Sequence, residues 1–210
     1  MSLAAQNLKY FITFTCFLIF ISAGYSQLDF LSSWPKDQIS TANTAINEDY
    51  LTLSEKNVFL ILNLARINPY LFYETILKNY RVPFGFSDDC IGNNRYFNSL
   101  IEELTEMEPL LPLLPDKELW NYAKCHAKKS GRRGYVGHKR VGCEKPAIYS
   151  ECCSYGFKSA IDIVIQLLID YKVRDLGHRI IMLDPNQKKL GVSIQDHKIY
   201  SYNAVLDFSN

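Results

Sequence analysis

The sequence lacks the motifs of the common hydrolases and nucleotide-binding enzymes. It has no Gly-x-Ser-x-Gly, no His-Glu-x-x-His and no glycine-rich phosphate loop, and it contains only four histidines. Its six cysteines include no Cys-x-x-Cys pair, which excludes a zinc ribbon. The 23 basic and 22 acidic residues nearly balance and form no long basic stripe. This balance argues against nucleic-acid binding and against a polybasic membrane patch.

What the N-terminus does have is an apolar run over residues 10–21, preceded by Lys9 and followed by Gly24 and Ser26. This arrangement predicts a cleavable signal peptide over residues 1–26. The alternative, an uncleaved membrane anchor, needs about 20 apolar residues, whereas this run is shorter and contains two threonines. We therefore expect a secreted or periplasmic protein without a transmembrane anchor after cleavage, carrying 22 basic and 22 acidic residues.

Five cysteines would remain after cleavage, and export permits disulfide bonds. Because the number is odd, at least one thiol stays free or pairs between chains. The predicted disulfide joins Cys143 to Cys152 or Cys153, since either pairing closes a short loop. Cys125 is predicted to be a small buried helix residue.

The pattern along the chain predicts helices first and an antiparallel hairpin last. Residues 27–50 are polar and irregular and are interpreted as a linker, and residues 83–94 as a turn-rich insert. Strict alternation from residue 190 to 194 and from 200 to 208 predicts the two strands of the hairpin. This order favours an α+β fold with helices packed on an antiparallel sheet. Helical spacing appears at residues 54–68, 70–80, 96–106, 116–130 and 158–171.

The polar residues best suited to chemistry form an ordered set: His138, then Glu151, then His178 in Gly-His-Arg. Two imidazoles and a carboxylate that converge in a cleft can bind a divalent metal. They can also act in general acid–base catalysis, because histidine titrates near neutral pH. The third interpretation is structural, with Glu151 accepting hydrogen bonds that hold loops together.

The order and spacing of several short motifs resemble the CAP superfamily, also called SCP-like, in its bacterial-type form. The resemblance covers residues 51–210. It rests on Leu64-Ala65-Arg66-Ile67-Asn68-Pro69, on Leu113-Leu114-Pro115-Asp116 leading into Leu119, Ala123 and Ala127, on Gly137-His138, on Glu151, on Gly177-His178-Arg179, and on Leu190-Gly191-Val192 before a tyrosine-rich strand.

This resemblance implies an α-β-α sandwich with a three-stranded antiparallel sheet between helices. It also implies a cleft lined by two histidines and two acids, here His138, Glu151, His178 and an acid that we place at Asp175, with Asp170 as the alternative. His138 and His178 would be the ligands of a weakly bound Zn²⁺.

The sequence departs from the family pattern at several positions. Ser150 and Cys152 replace the Gly and Asn that flank the family's Glu, and no tryptophan occurs from Ile161 to Asp170. These departures affect any activity that needs the complete cleft more than they affect the fold.

The main functional hypothesis is a non-enzymatic binding module, with no catalytic residue assigned, for a lipid, a small molecule or a cell-envelope ligand. The alternative is a secreted metal-assisted protease or esterase that uses His138, Glu151 and His178. Cys152 would then be a candidate nucleophile, although a disulfide is favoured. The metal and catalytic interpretations both require the two imidazoles to lie within about 8 Å of each other. A small basic cluster near His138 is either solvated or attracts an anionic ligand: Arg132, Arg133, Lys139 and Arg140.

Overall fold

The computed structural model describes residues 26–83 and 85–210. The chain divides into a first unit that ends at Trp34 and a second that runs from Pro35 to Asn210. The described part of the first unit contains a 3-10 helix, Ser26–Ser33. Except for its last residue, the predicted signal peptide lies outside the described residues. Within the described ranges, every helix is too short or too polar to cross a bilayer.

The second unit is of mixed α+β class, as the sequence predicts. Its described residues form seven α-helices and four strands, and the turn Tyr73–Leu77 is a short π-helix. In chain order the elements are α1 (Lys36–Ala42), α2 (Leu53–Ile67), α3 (Pro69–Phe72), α4 (Arg95–Glu106), β1 (Leu114–Pro115), α5 (Lys117–Arg133), β2 (Ser150–Tyr155), α6 (Ala160–Ile169), α7 (Gly177–Met182), β3 (Lys189–His197) and β4 (Ser201–Ser209).

The sheet has four strands in the order β1-β3-β4-β2, and this corrects the predicted three-stranded antiparallel sheet. Strands β2, β3 and β4 are antiparallel, but β1 pairs with β3 in parallel. The additional strand comes from the proline-rich segment, where proline favours extended backbone. Leu114 N–H donates to the Lys188 carbonyl at 2.9 Å, and Asp116 N–H donates to the Leu190 carbonyl at 3.0 Å. Pro115 has no N–H, which suits an edge strand.

Residues 35–50, which lie within the predicted linker over residues 27–50, belong to the second unit. Helix α1 lies in this segment, and the side chains of Ala42 and Ala45 are fully buried. Asn63 on α2 donates its side-chain amide to the Ala42 carbonyl at 2.9 Å. The small side chains of Ala42 and Ala45 allow the segment to pack closely in the core, although its overall composition is polar.

Helices cover both faces of the sheet, since residues 203–208 of the central strand β4 are all buried. On one face, Ala123 and Ala127 of α5 pack against Cys153 and Val205. Gly191 permits this close approach, because a Cβ there would lie 2.2 Å from the Leu119 carbonyl carbon. Helix α2 contacts β3, and helices α6 and α7 contact β2.

Two helix ends position the candidate site. Asp116 caps α5 and accepts from the N–H groups of Glu118 and Leu119 at 2.9 and 3.0 Å. Gly134, with φ 67°, ends that helix and starts the loop that carries His138. Helix α6 ends at Ile169 because Asp170 adopts a left-handed conformation with φ 55°. Helix α2 begins after Thr52, which forms a capping box with Glu55.

Candidate functional site

Four elements bring the predicted cleft residues together beside β2, a strand at the edge of the sheet. His138 lies in the loop after α5, Glu151 on β2, Asp170 at the end of α6 and His178 in the first turn of α7. The ring centroids of His138 and His178 are 6.4 Å apart. The spacing that the metal and catalytic interpretations require is therefore met.

Each imidazole is held by a carboxylate through Nδ1. His138 Nδ1 lies 2.7 Å from Glu151 Oε1, and His178 Nδ1 lies 2.7 Å from Asp170 Oδ1. The backbone N–H of His178 also donates to Asp170 Oδ2 at 2.9 Å. Such pairing places the proton on Nδ1 and leaves Nε2 free to bind a ligand or accept a proton.

The acid that contacts His178 is Asp170, whereas the resemblance is taken to place the second acid at Asp175, with Asp170 as the alternative. Asp175 is exposed in the loop before α7, whereas Asp170 is buried. The reversal of the chain at Asp170 directs its carboxylate to the first turn of α7, eight residues further on. Which acid contacts His178 therefore depends on the backbone conformation of Asp170 at the end of α6.

Glu151 belongs to a buried ionic network that the sequence analysis missed. Arg140 donates to Glu151 Oε2, to Asp207 Oδ1 at 2.5 Å and to the Tyr122 carbonyl at 3.0 Å. Asp207 Oδ2 and Arg140 Nε are buried without a hydrogen-bond partner among the described residues. Arg140 was predicted in a solvent-exposed basic cluster, yet its side chain is almost fully buried.

This network sets the charges of the cleft. Burial raises the pKa of Glu151, but its hydrogen bond with His138 and the charge of Arg140 outweigh burial and lower that pKa overall. The same hydrogen bond raises the pKa of His138. Burial raises the pKa of Asp207 to about 7. The cleft therefore holds a carboxylate at Glu151 and a basic imidazole at His138.

The disulfide bond joins Cys125 to Cys143, which corrects both predictions made for these cysteines. It forms because the loop after α5 folds back along that helix, so it fastens the loop that carries His138. Cys90, Cys152 and Cys153 are free among the described residues. Burial raises the pKa of the Cys152 thiol well above its ordinary value, which disfavours a thiolate nucleophile there.

A cavity of about 300 Å³ opens beside the cleft and shares His178 and Asp170 with it. The turn-rich insert supplies one wall, and the rings of Phe86 and Phe157 stack there with centroids 4.4 Å apart. An aromatic residue within this polar insert was the available sequence signal, and it was missed. The cavity is lined by Tyr80, Val82, Phe86, Ser87, Cys90, Cys153, Tyr155, Phe157, Ile165, Gln166, Leu167, Ile169, Asp170, Tyr171, Val173 and His178.

A second cavity, of about 440 Å³, has His126 in its lining. Its rim carries the cationic side chains of Lys129, Arg133 and Lys139. Only Arg133 and Lys139 of the predicted basic cluster line it. The cationic surface is therefore separate from the apolar cavity.

No known family model matches the chain, and no curated protein matches it significantly. Function is therefore inferred from the site itself.

Proposed function

We propose that this protein is an exported binding module of the CAP type that holds a small, largely apolar molecule in the 300 Å³ cavity. The cavity carries the proposal: most of its lining is aliphatic or aromatic, and its polar lining includes the paired side chains of Asp170 and His178. Ligand pockets in proteins commonly have this composition, with volumes of about 300–1,000 Å³. A lipid-like molecule with one polar group fits it best.

His178, which is paired with Asp170, would recognise the polar group of the ligand. The His178 side chain is 20% exposed, and Asp170 holds its Nδ1. Its Nε2 is thus available to a hydroxyl or carboxyl group of the ligand. Gln166 is already engaged, since it accepts from Ser154 Oγ at 2.5 Å and donates to the Tyr155 carbonyl at 3.2 Å. Selectivity would therefore depend mainly on His178.

Export and CAP membership are supported by the sequence. The apolar segment at residues 10–21 is typical of a signal peptide, and a disulfide bond suits an oxidising compartment. The paired histidines and acids follow the family order, with Asp170 as the second acid. A lipid or cell-envelope component would then be the natural source of the ligand.

The predicted Zn²⁺ at His138 and His178 would have two protein ligands, each through the free Nε2. Carboxylates on the opposite ring nitrogens are a common arrangement around zinc-binding histidines. Since structural and catalytic zinc sites normally have three or four protein ligands, binding there would be weak.

Titration with a dansyl-labelled fatty acid tests the ligand proposal on the full chain. Wild-type protein should enhance dansyl fluorescence saturably, and Val173→Trp, which fills the cavity, should abolish the effect. Ile180→Trp is the matched control, because Ile180 is 60% exposed and does not line the cavity. Equal fluorescence enhancement by all three proteins would refute the proposal.

The hydrolase alternative is favoured by one observation, the two carboxylate–imidazole pairs that face each other across 6.4 Å. It predicts turnover of a peptide and ester panel that disappears in both His138→Ala and His178→Ala. Absence of turnover by folded wild-type protein, together with fatty-acid binding, would exclude the hydrolase in favour of the binding module.

A further inference from the structure

Three buried metal-ligand side chains meet behind the cleft. One ligand atom from each of His126, Glu151 and Cys153 lies within 4.8 Å of the other two. His138 adjoins them, with Nδ1 2.7 Å from Glu151 Oε1 and 3.8 Å from Cys153 Sγ. We propose that His126, Glu151 and Cys153, with His138 as the fourth ligand, form a binding site for Zn²⁺ that is distinct from the pair His138 and His178.

The donor spacing suits tetrahedral coordination. With bonds of about 2.0–2.3 Å, the ligand atoms around zinc lie about 3.3–3.6 Å apart. Glu151 Oε1 is 3.9 Å from His126 Nε2, so these two donors need small movements. His138 must withdraw by less than about 1 Å from Glu151 to reach the same spacing. Its side chain is 58% exposed, so it is free to move.

The donor chemistry selects the metal. Imidazole nitrogen, carboxylate oxygen and thiolate sulfur together favour Zn²⁺ over Mg²⁺ or Ca²⁺, which prefer oxygen ligands. Arg140 binds Glu151 Oε2 and would orient the carboxylate so that Oε1 faces the metal. Two features oppose binding. His126 Nε2 lies 3.0 Å from the Gly137 carbonyl and must give up that hydrogen bond. Burial also raises the pKa of the Cys153 thiol well above its ordinary value, so the metal must displace the thiol proton.

Two routes lead to the donors. Cys153 lines the apolar cavity, and His126 lines the basic cavity on the other side. The exposed ring of His138 borders the third side. A cation can thus reach the site without unfolding the core, which a metal site requires in a folded protein.

The sulfur ligand makes the proposal testable on unaltered protein. Full-length chain is stripped with a chelator, reloaded with equimolar Zn²⁺ and measured by zinc X-ray absorption. The expected spectrum has a sulfur shell at about 2.3 Å beside nitrogen and oxygen at about 2.0–2.1 Å. Zinc at His138 and His178 would show nitrogen and oxygen alone, and that spectrum, or failure to retain zinc, would overturn the proposal.

Variants then locate the site. Cys153→Ser should remove the thiolate-to-metal absorption band of the Co²⁺-loaded protein and weaken Zn²⁺ binding by at least about tenfold. Cys152→Ser is the matched control. The Cys152 thiol points to the opposite face of β2 from Cys153 and contacts the His178 carbonyl. His178→Ala should keep the band. Loss of the band in His178→Ala, or its persistence in Cys153→Ser, would overturn the assignment. Neither result depends on fatty-acid binding, so the two proposals fail separately.

Discussion

Removing the Cys125–Cys143 disulfide, by substituting both cysteines with serine, should lower the free energy of unfolding by about 3 kcal/mol. The bond joins residues 18 positions apart. A cross-link of that span removes about 11 cal/mol/K of chain entropy from the unfolded state, which at 25 °C corresponds to the stated free energy.

The folded state should survive this change, because other contacts hold the same loop. Gly137 N–H donates to the Tyr155 hydroxyl at 2.9 Å, and Arg140 reaches the Tyr122 carbonyl on α5. The double variant should therefore unfold at a lower urea concentration, while its folded state keeps the arrangement of the cleft.

Urea denaturation followed by circular dichroism measures the effect, and Cys90→Ser serves as a control, since Cys90 is not disulfide-bonded. A peptide map of the unreduced protein should contain a single species that joins Cys125 to Cys143. The reasoning is refuted if the double variant loses less than about 1 kcal/mol, or if the map joins Cys143 to Cys152 or Cys153.

Three further substitutions test the packing and charges around the cleft. Because burial raises the pKa of Asp207 to about 7, from an ordinary value of 3.8, its contribution to stability is full below pH 3.8 and is lost as the pH rises through 7. Asp207→Asn should therefore flatten the dependence of the urea midpoint on pH between 4 and 7, and an unchanged slope would contradict this. Arg140→Met should cost about 3–5 kcal/mol in the same assay, because it leaves the buried Glu151 carboxylate, and its neighbour Asp207, without their cation; a loss under about 1 kcal/mol would disprove that role. Gly191→Ala should cost about 3 kcal/mol or more, since its Cβ meets the backbone of Leu119 at 2.2 Å, whereas Gly177→Ala, with ordinary contacts, should lower the melting temperature far less.

The periodic elements could be predicted because their causes are local. Alternation gives β3 and β4, and apolar spacing gives α2, α5 and α6, since one face of each element is buried. Asp116 caps α5 through its own side chain and the next three residues. Asp170 shows where such local prediction ends. The chain turns there with φ 55°, a conformation that aspartate adopts less readily than glycine, so the residue type does not indicate the turn.

The pairing of distant residues depended on the tertiary structure. The sequence by itself determined the mixed α+β class and the candidates His138, Glu151 and His178, because residue type and order carry that information. It did not determine that Cys143 reaches Cys125, or that His126 and Cys153 meet at Glu151. Those contacts depend on how α5 and its loop lie against the sheet, and that arrangement is set by long-range packing, with close approach at Gly191 and a buried charge at Arg140.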